Sequence, residues 1–497
     1  MKFKALFCDR GNNDSVLRFF VIYKILIKKN ILSSVISNFD KYRWQNNFYK
    51  KFGIKFFYYF DSKTSFDYLI ESIKSFFFMF LIILNNKIYL REYLSNILID
   101  NKNFGYLIYD EYLKRFNNYK EKKLNFNFIR VLYVSILKIQ ILKKIVLRKN
   151  YNLFFITQQN YINPSTIIRA LYNDDKSKKI IYVNRGGFQL IDSKTFLINS
   201  YKRIDKKIIY SRKFNSEFEK KSKIFFKKRF LGKIDYRNDL PLAFKSKKKI
   251  KLKKTKNFRI LLACHRLSDA NHTYPKNIFL NYFDYIEETL KVLANTQHEI
   301  FIRMHPASSK FERDLILKLI DKFNSNKIKI ISTKVNTQNV IKQMDFLITL
   351  HGTIGIEFPV IKKLKSIICA DSSYANFKFC KRIKDLKELN DFLKNDLKPI
   401  KLTNKEFKEA KKYLYYSDQF DMKRKFAVYY SERLKKNYTP KYFPSNRSLP
   451  DKEFFKKINS NIFFKNYKKD EYFKDVEFRL NKILSNKRYN FKNDLSL

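Results

Sequence analysis

Short blocks of apolar residues alternate along this chain with longer stretches in which apolar positions recur at helical spacing, the pattern of strands alternating with helices. Residues 3–8 (Phe-Lys-Ala-Leu-Phe-Cys) read as an opening strand, 9–14 as a polar loop containing Gly11, and 15–29 as a helix. Apolar runs follow at 32–36 and 56–60. The stretch 64–84 reads as a helix whose very apolar end is either core or a site of membrane contact, with core the expected role. Residues 104–110 resemble a strand that ends at Asp110 and feeds a helix, so Asp110 is either a base facing a cleft or a helix N-cap. An amphipathic helix over 131–147, a strand over 153–157, a loop from Gln158 with Asn163-Pro-Ser165 as helix start, a helix to 172 and a strand over 180–183 continue the plan. Arg185-Gly-Gly187 then reads as a tight turn.

From Lys245 to Lys256 eight of twelve residues are Lys, and the spacing predicts a domain boundary there. After it the alternation restarts, with strands over 258–264, 299–304, 327–332, 346–350 and 365–370 and helices over 279–294, 308–323, 337–344 and 354–362 between them. Five strands separated by helices make a doubly wound parallel sheet. The expected organisation is an N-terminal Rossmann-like domain over 1–245, a Lys-rich linker over 246–256, a second Rossmann-like domain over 257–402 and a helical extension over 403–497.

Ligands of such sheets bind outside the carboxyl ends of the strands. The side chains predicted there are His265, Arg266, Ser268, Asp269 and His272 after the first strand of the second half, Arg303, His305 and Pro306 at the next, and Thr349, His351, Gly352 and Thr353 at the fourth. All five histidines fall between positions 265 and 351. Arg303 and His305 alternate with Ile302 and Met304, which on a strand places both on one face toward one anion; Pro306 fixes the exit of the loop. Gly352 permits close backbone approach, and the helix after it offers amide N–H groups to a phosphate, with the Thr353 hydroxyl as a further donor. Glu357, one turn on, is placed to accept from a ribose. Neither GxGxxG nor GxxxxGK[ST] is present, which argues against dinucleotide enzymes and P-loop ATPases. HExxH, HxH and GxSxG are also absent, and Arg266 and Arg303 stand beside the histidines, so no metal is expected.

The net charge of +58 (104 Lys and Arg against 46 acids) concentrates anions around the protein: nucleic acid, an anionic membrane surface or phosphate-bearing substrates. The competing reading is a coding bias toward Lys that carries no function. Four cysteines (Cys8, Cys264, Cys369, Cys380) without paired spacing fit a reducing compartment. The longest apolar run, Phe76 to Leu84, is half of a membrane span. A cytoplasmic protein is expected, peripheral to the inner leaflet.

The stretch 258–370, with its histidine-rich loop, Arg-Met-His-Pro at 303–306 and His-Gly-Thr-Ile-Gly-Ile-Glu-Phe-Pro at 351–359, resembles the donor half of bacterial capsule and surface-polysaccharide glycosyltransferases. These include the capsule-type Kdo transferases, and the HisPro element is shared with some bacterial sialyltransferases. Residues 106–114 and 158–169 are similar to the group more loosely, and Arg303 stands where Lys is frequent. The resemblance implies an α/β, GT-B-like architecture: two doubly wound Rossmann-like domains facing across a cleft, with a helical C-terminal extension. It implies that His305 contacts the donor phosphate, that the 352–353 turn holds it, and that Glu357 lies near the ribose. Arg303, Pro306 and His351 complete that donor set, and no metal or cofactor is needed. Asp269 and Asp110 are the candidates for the base that deprotonates the acceptor, with His265 beside them in the catalytic set. The partners implied are a CMP- or UDP-linked nucleotide sugar, a polysaccharide or lipid-linked acceptor and an anionic membrane surface, with no nucleic acid. Alternatives are a CDP-polyol phosphotransferase of the teichoic-acid type and a basic nucleic-acid-binding or membrane-associated protein without enzymatic activity.

Overall fold

The computed structural model describes residues 3–9, 13–37, 49, 54–58, 66–86, 88–157, 160–184, 187–191, 209–210, 214–233, 244, 246–272, 277–395, 397–423 and 471–485. Gly11, Gln158 and the Arg185-Gly186 pair lie outside the described residues. The chain divides into two compact units, Met1–Tyr112 with Lys122–Leu197 and Asp421–Leu497, and Leu113–Glu121 with Ile198–Phe420.

The first unit runs β1 (Lys4–Asp9), α1 (Asn13–Lys28), β2 (Leu32–Ser37), β3 (Lys55–Tyr58), α2 (Phe66–Leu84), α3 (Leu90–Asn96), the antiparallel pair β4 (Leu98–Ile99) and β5 (Lys102–Asn103), and α4 (Gly105–Phe116). It continues with α5 (Phe126–Lys149), β6 (Leu153–Ile156), α6 (Pro164–Tyr172), β7 (Lys179–Asn184) and β8 (Gly187–Ile191). Its sheet has the order β3-β2-β1-β6-β7-β8, parallel except for β8. The central strands read Ala5-Leu-Phe-Cys8 and Leu153-Phe-Phe-Ile156, buried throughout, as strands covered on both faces must be. Asn163 caps α6 by accepting from the Ser165 and Thr166 amides, as the Asn-Pro-Ser signal predicts.

Residues 104–110 do not form the expected strand. The Asn103 side chain accepts from the Gly105 amide at 2.7 Å and starts a helix in which Ile108, Tyr109, Tyr112 and Leu113 are buried at helical spacing. Asp110 therefore stands in the middle of α4, buried, and is neither a strand-end base nor an N-cap.

The second unit contains α7 (Ser216–Phe230), β9 (Arg259–Ala263), α8 (Tyr282–Leu293), β10 (Glu299–Arg303), α9 (Lys310–Asp321), β11 (Ile328–Ile331), α10 (Thr337–Lys342), β12 (Phe346–Thr349) and α11 (Ile354–Lys362). β13 (Ser366–Ile368), β14 (Cys380–Arg382), α12 (Leu386–Lys394) and α13 (Asn404–Lys423) follow. Its sheet, β11-β10-β9-β12-β13-β14, is parallel throughout. The five expected strands are present, and β14 is a sixth that three residues were too short to announce. Counted within each sheet, both have the order 3-2-1-4-5-6. The fold class is α/β with two doubly wound Rossmann-like sheets in one chain.

The boundaries differ from those expected. The Lys-rich run is held to the second unit: Ile250 and Leu252 pack against the cluster of Leu261, Val340 and Leu347, and their amides donate to Asn339 at 2.9 Å and Gln343 at 2.8 Å. α7 shares a core cluster with β13 and α13 through Phe225, Phe226, Ile368 and Tyr413, so this segment counts with the second unit. At the other end α14 (Glu471–Leu484) buries Val476, Leu480 and Ile483 in the first unit, where Lys179 donates to the Ile483 carbonyl. The chain beyond 403 is thus divided between the units and is not one appendage. Among the described residues no helix is long and apolar enough to cross a membrane.

Candidate functional site

In the second unit the paired positions Ala263↔Arg303 and Ile348↔Leu262 level the carboxyl ends of β9, β10 and β12. His265, His305 and His351 each stand two residues past the end of one of these strands. β9 and β12 are strands 1 and 4 of the order, so two of the histidines flank the topological switch point, where such sheets bind ligands.

Three rings pack together there. The His265 ring stacks on Tyr282 at 4.8 Å and lies 4.3 Å from His351 between centroids. The Tyr282 hydroxyl donates to the Ala270 carbonyl at 2.9 Å and has its second contact with His351 Nε2, also at 2.9 Å. Its single proton being used, it accepts from His351, which fixes the Nε2–H tautomer of that ring. Tyr282 is the first residue of α8, set by the Asn281 cap and by its own amide donating to Asn271 at 2.6 Å. The sequence reading missed it; the signal was Asn281 as N-cap, which would have placed the tyrosine at the helix start.

His265 is largely enclosed, and burial, with a smaller contribution from His305, pushes its pKa down to about 3. It is neutral at ordinary pH and supplies no positive charge to a phosphate. Its Nε2 faces the Thr349 hydroxyl at 3.4 Å and the His351 amide at 3.5 Å, so it acts on the turn rather than as a cation. Because the folded pKa lies below the ordinary value of about 6.5, the unfolded chain binds the proton more tightly. The contribution to stability is complete above about pH 6.5 and is lost as pH falls toward 3. Wild type should lose about 2–3 kcal/mol from this group between pH 7 and 4.5. Urea denaturation at both pH values should show that loss, and His265→Phe should remove most of it; an equal loss in the variant would contradict the assignment.

His305 Nδ1 accepts the Ala307 amide at 3.1 Å, which leaves Nε2 as the donor nitrogen of the neutral ring. Arg303 does not join it. The strand ends at Arg303, so strict alternation does not extend to His305. The guanidinium is instead buried, donating to the Val335 carbonyl at 2.8 Å and the Thr337 hydroxyl at 3.0 Å, and burial holds its pKa down to about 10. The expectation that both meet one anion is overturned.

In the turn before α11, Thr353 occupies the N-cap position without a side-chain cap hydrogen bond, and its side chain is exposed. A Cβ on Gly352 would come within 3.1 Å of the Thr349 hydroxyl, so a side chain here crowds the turn. Tyr374 donates to the Gly352 carbonyl at 2.6 Å and braces the turn from below. Pro359, inside the helix, has no N–H for the Gly355 carbonyl, and Ser366 supplies the donor at 2.6 Å.

Glu357 is not available to a ribose. Its carboxylate is buried and meets Arg229 Nη2 of α7 at 2.5 Å. Asp269 is exposed on the His265 loop and accepts the Ala270 amide at 2.9 Å. Pro306 follows His305, partly exposed. Asp110 belongs to the first unit. The loop carrying Asp269 is tied to β10's exit by Glu312, which accepts the Ser268 amide at 2.6 Å and the Ser309 amide at 2.7 Å. Among the described residues one carboxylate group on α8, Asp284, Glu287 and Glu288, is close enough to share a cation. Asp284 already accepts the Leu280 amide and Glu288 pairs with Lys291.

No family model matches the chain, and no curated protein matches it. Among solved structures it is similar to the beta Kdo 2,7 transferase KpsC of Thermosulfurimonas dismutans, at 16% identity over 55% of this chain and 79% of that one, with a TM-score of 0.32. It is also similar to MurG of Acinetobacter baumannii, at 10% identity over 85% and 100% of the two chains, TM-score 0.25. A third likeness is to Alr3699/HepE of Anabaena in complex with UDP and glucose, at 11% identity over 87% and 100%, TM-score 0.27. Scores of this size carry no argument, and the fold class stands on the two strand orders.

Proposed function

We propose that the chain is a glycosyltransferase that moves a sugar from a CMP- or UDP-linked donor to a growing capsule or other surface polysaccharide at the cytoplasmic face of the membrane. The observation that carries this reading is the convergence of His265, His305 and His351 with the side-chain-uncapped start of α11 at the switch point of a 3-2-1-4-5-6 sheet. A departing nucleotide phosphate at the 351–353 turn meets amide N–H groups at the positive end of α11, the Thr353 hydroxyl and the His305 Nε2–H donor. Such fixed donors stabilise the charge that develops on the leaving group without a metal ion. His265 and Tyr282 hold the His351 ring and backbone in place. Asp269, the exposed carboxylate of this edge, is the proposed base toward the acceptor hydroxyl.

The test is a thermal-shift series of wild type, His305→Ala and His351→Ala with CMP, UDP, GDP and CDP-glycerol. Ligand at a hundredfold excess over its Kd stabilises by about 2.7 kcal/mol, a shift of several degrees for domains of this size. The expected result is a shift with CMP or UDP that both variants lose. A shift with CDP-glycerol alone redirects the donor to a polyol phosphate, and no shift with any of the four overturns the reading.

A further inference from the structure

Helix α2 of the first unit presents a row of exposed apolar side chains. Leu69, Ile73, Phe76, Phe77, Phe80, Leu81 and Leu84 are all exposed, from 50% for Ile73 and Phe80 to 64% for Leu84. Their spacing places them on one stripe along the 19-residue helix, with the exposed Lys74 at its margin. The opposite face is committed to the unit: Ser75, Met79 and Ile82 are buried, Ser72 bonds the Tyr133 hydroxyl and Glu71 pairs with Lys144 of α5 at 3.1 Å. The sequence reading favoured core for this segment, but the core uses only one side of it. Seven large apolar side chains in one exposed stripe form a patch of the kind that marks an interaction surface.

The surroundings of the helix's end say what covers it. Ile88 and Tyr89, both exposed, pair through their backbone with residues 122–124, which brings the exposed Lys122 and Lys123 beside them. Arg91 and Arg130 are exposed on α3 and α5, and Phe126 at the start of α5 is 77% exposed. Apolar side chains rimmed by cations fit an interface of acyl chains under anionic headgroups. A second protein copy carrying the same cations would bring like charges together.

We propose that α2 lies in the plane of an anionic membrane, its Leu69–Leu84 stripe inserted below the headgroups and the Arg91, Lys122, Lys123 and Arg130 cluster on the lipid phosphates. The helix does not span: Asp67, Glu71 and Lys74 interrupt it and one face is packed on α5. This surface deepens the proposed function, whose membrane location it rests on and makes specific, while its vesicle test does not depend on sugar transfer.

The experiment is co-sedimentation of the full chain with vesicles of phosphatidylcholine alone and with one-third phosphatidylglycerol. Wild type should pellet with the anionic vesicles. Phe77→Ser/Phe80→Ser/Leu84→Ser, which changes only exposed positions, should bind roughly 100-fold more weakly. Lys122→Glu/Lys123→Glu should lose the preference for anionic lipid. As a readout that does not depend on those variants folding, Phe77→Trp in a Trp44→Phe background should shift its emission to the blue with anionic vesicles. Wild type remaining in the supernatant, or a triple variant that pellets like wild type, overturns the proposal. So does a wild-type dimer in buffer that the triple variant converts to monomer without any effect on vesicle binding.

Discussion

Replacing Glu357 by alanine is expected to destabilise the second unit by about 3–5 kcal/mol. The carboxylate is the counter-charge to Arg229 at 2.5 Å, both side chains are buried, and its field also supports the buried Arg303. Removing it takes away the carboxylate that Arg229 faces and the field that favours the buried Arg303 charge, in a low-dielectric interior. Breaking a buried pair from one side is much costlier than replacing both partners. Glu357→Leu with Arg229→Met should therefore recover most of the loss in a denaturant midpoint. A ribose-binding Glu357 predicts the opposite pattern: unchanged stability, weaker nucleotide binding, and no rescue by a change on α7. If the single variant unfolds at the wild-type midpoint, the ion pair is not what holds α7 against α11.

The elements that were legible in sequence are those whose apolar periodicity is strong and whose ends carry local signals. β9, β10 and β12 were read within a residue or two because each is an unbroken apolar run covered on both faces, and α6 because Asn163 is an unambiguous cap. The three histidines were placed at the sheet's carboxyl edge for the same reason. A polar ring two residues past a buried strand sits at the sheet's carboxyl edge whatever the rest of the chain does.

What the sequence did not disclose depends on contacts between distant segments. Arg229 lies 128 residues from Glu357, and nothing local distinguishes a Glu in a helix's first turn that faces a ligand from one that faces a buried arginine. Arg303 was misassigned because alternation was extended past the last paired residue of β10. Tyr282 and Tyr374 act through hydroxyls whose partners, His351 and the Gly352 carbonyl, come from other loops. The Lys-rich run looked like a linker because its charge hid two apolar anchors, Ile250 and Leu252. The apolar end of α2 looked like core because apolarity alone does not say which side of a helix has a neighbour.

Gly355→Ala is expected to cost about 2–4 kcal/mol and to abolish the nucleotide-dependent thermal shift in one step. A Cβ at this position would stand 2.2 Å from the Tyr374 hydroxyl and 2.9 Å from its ring carbon, with the Thr349 methyl at 3.2 Å on another side. Tyr374 has no room to retreat, being 1% exposed and packed against Phe379 and Tyr413. The ring must tilt, and its hydrogen bond to the Gly352 carbonyl breaks. The glycine is thus required by space rather than by backbone conformation, and the cost falls on the turn proposed to hold the donor phosphate. Adding Tyr374→Phe removes the atom in closest conflict and should restore part of the stability. It should not restore nucleotide binding, because the Gly352 carbonyl still lacks its donor. Recovery of both in the double variant would mean that Tyr374 only fills space beneath the turn, and wild-type stability of Gly355→Ala would mean that the turn is not braced by Tyr374 at all.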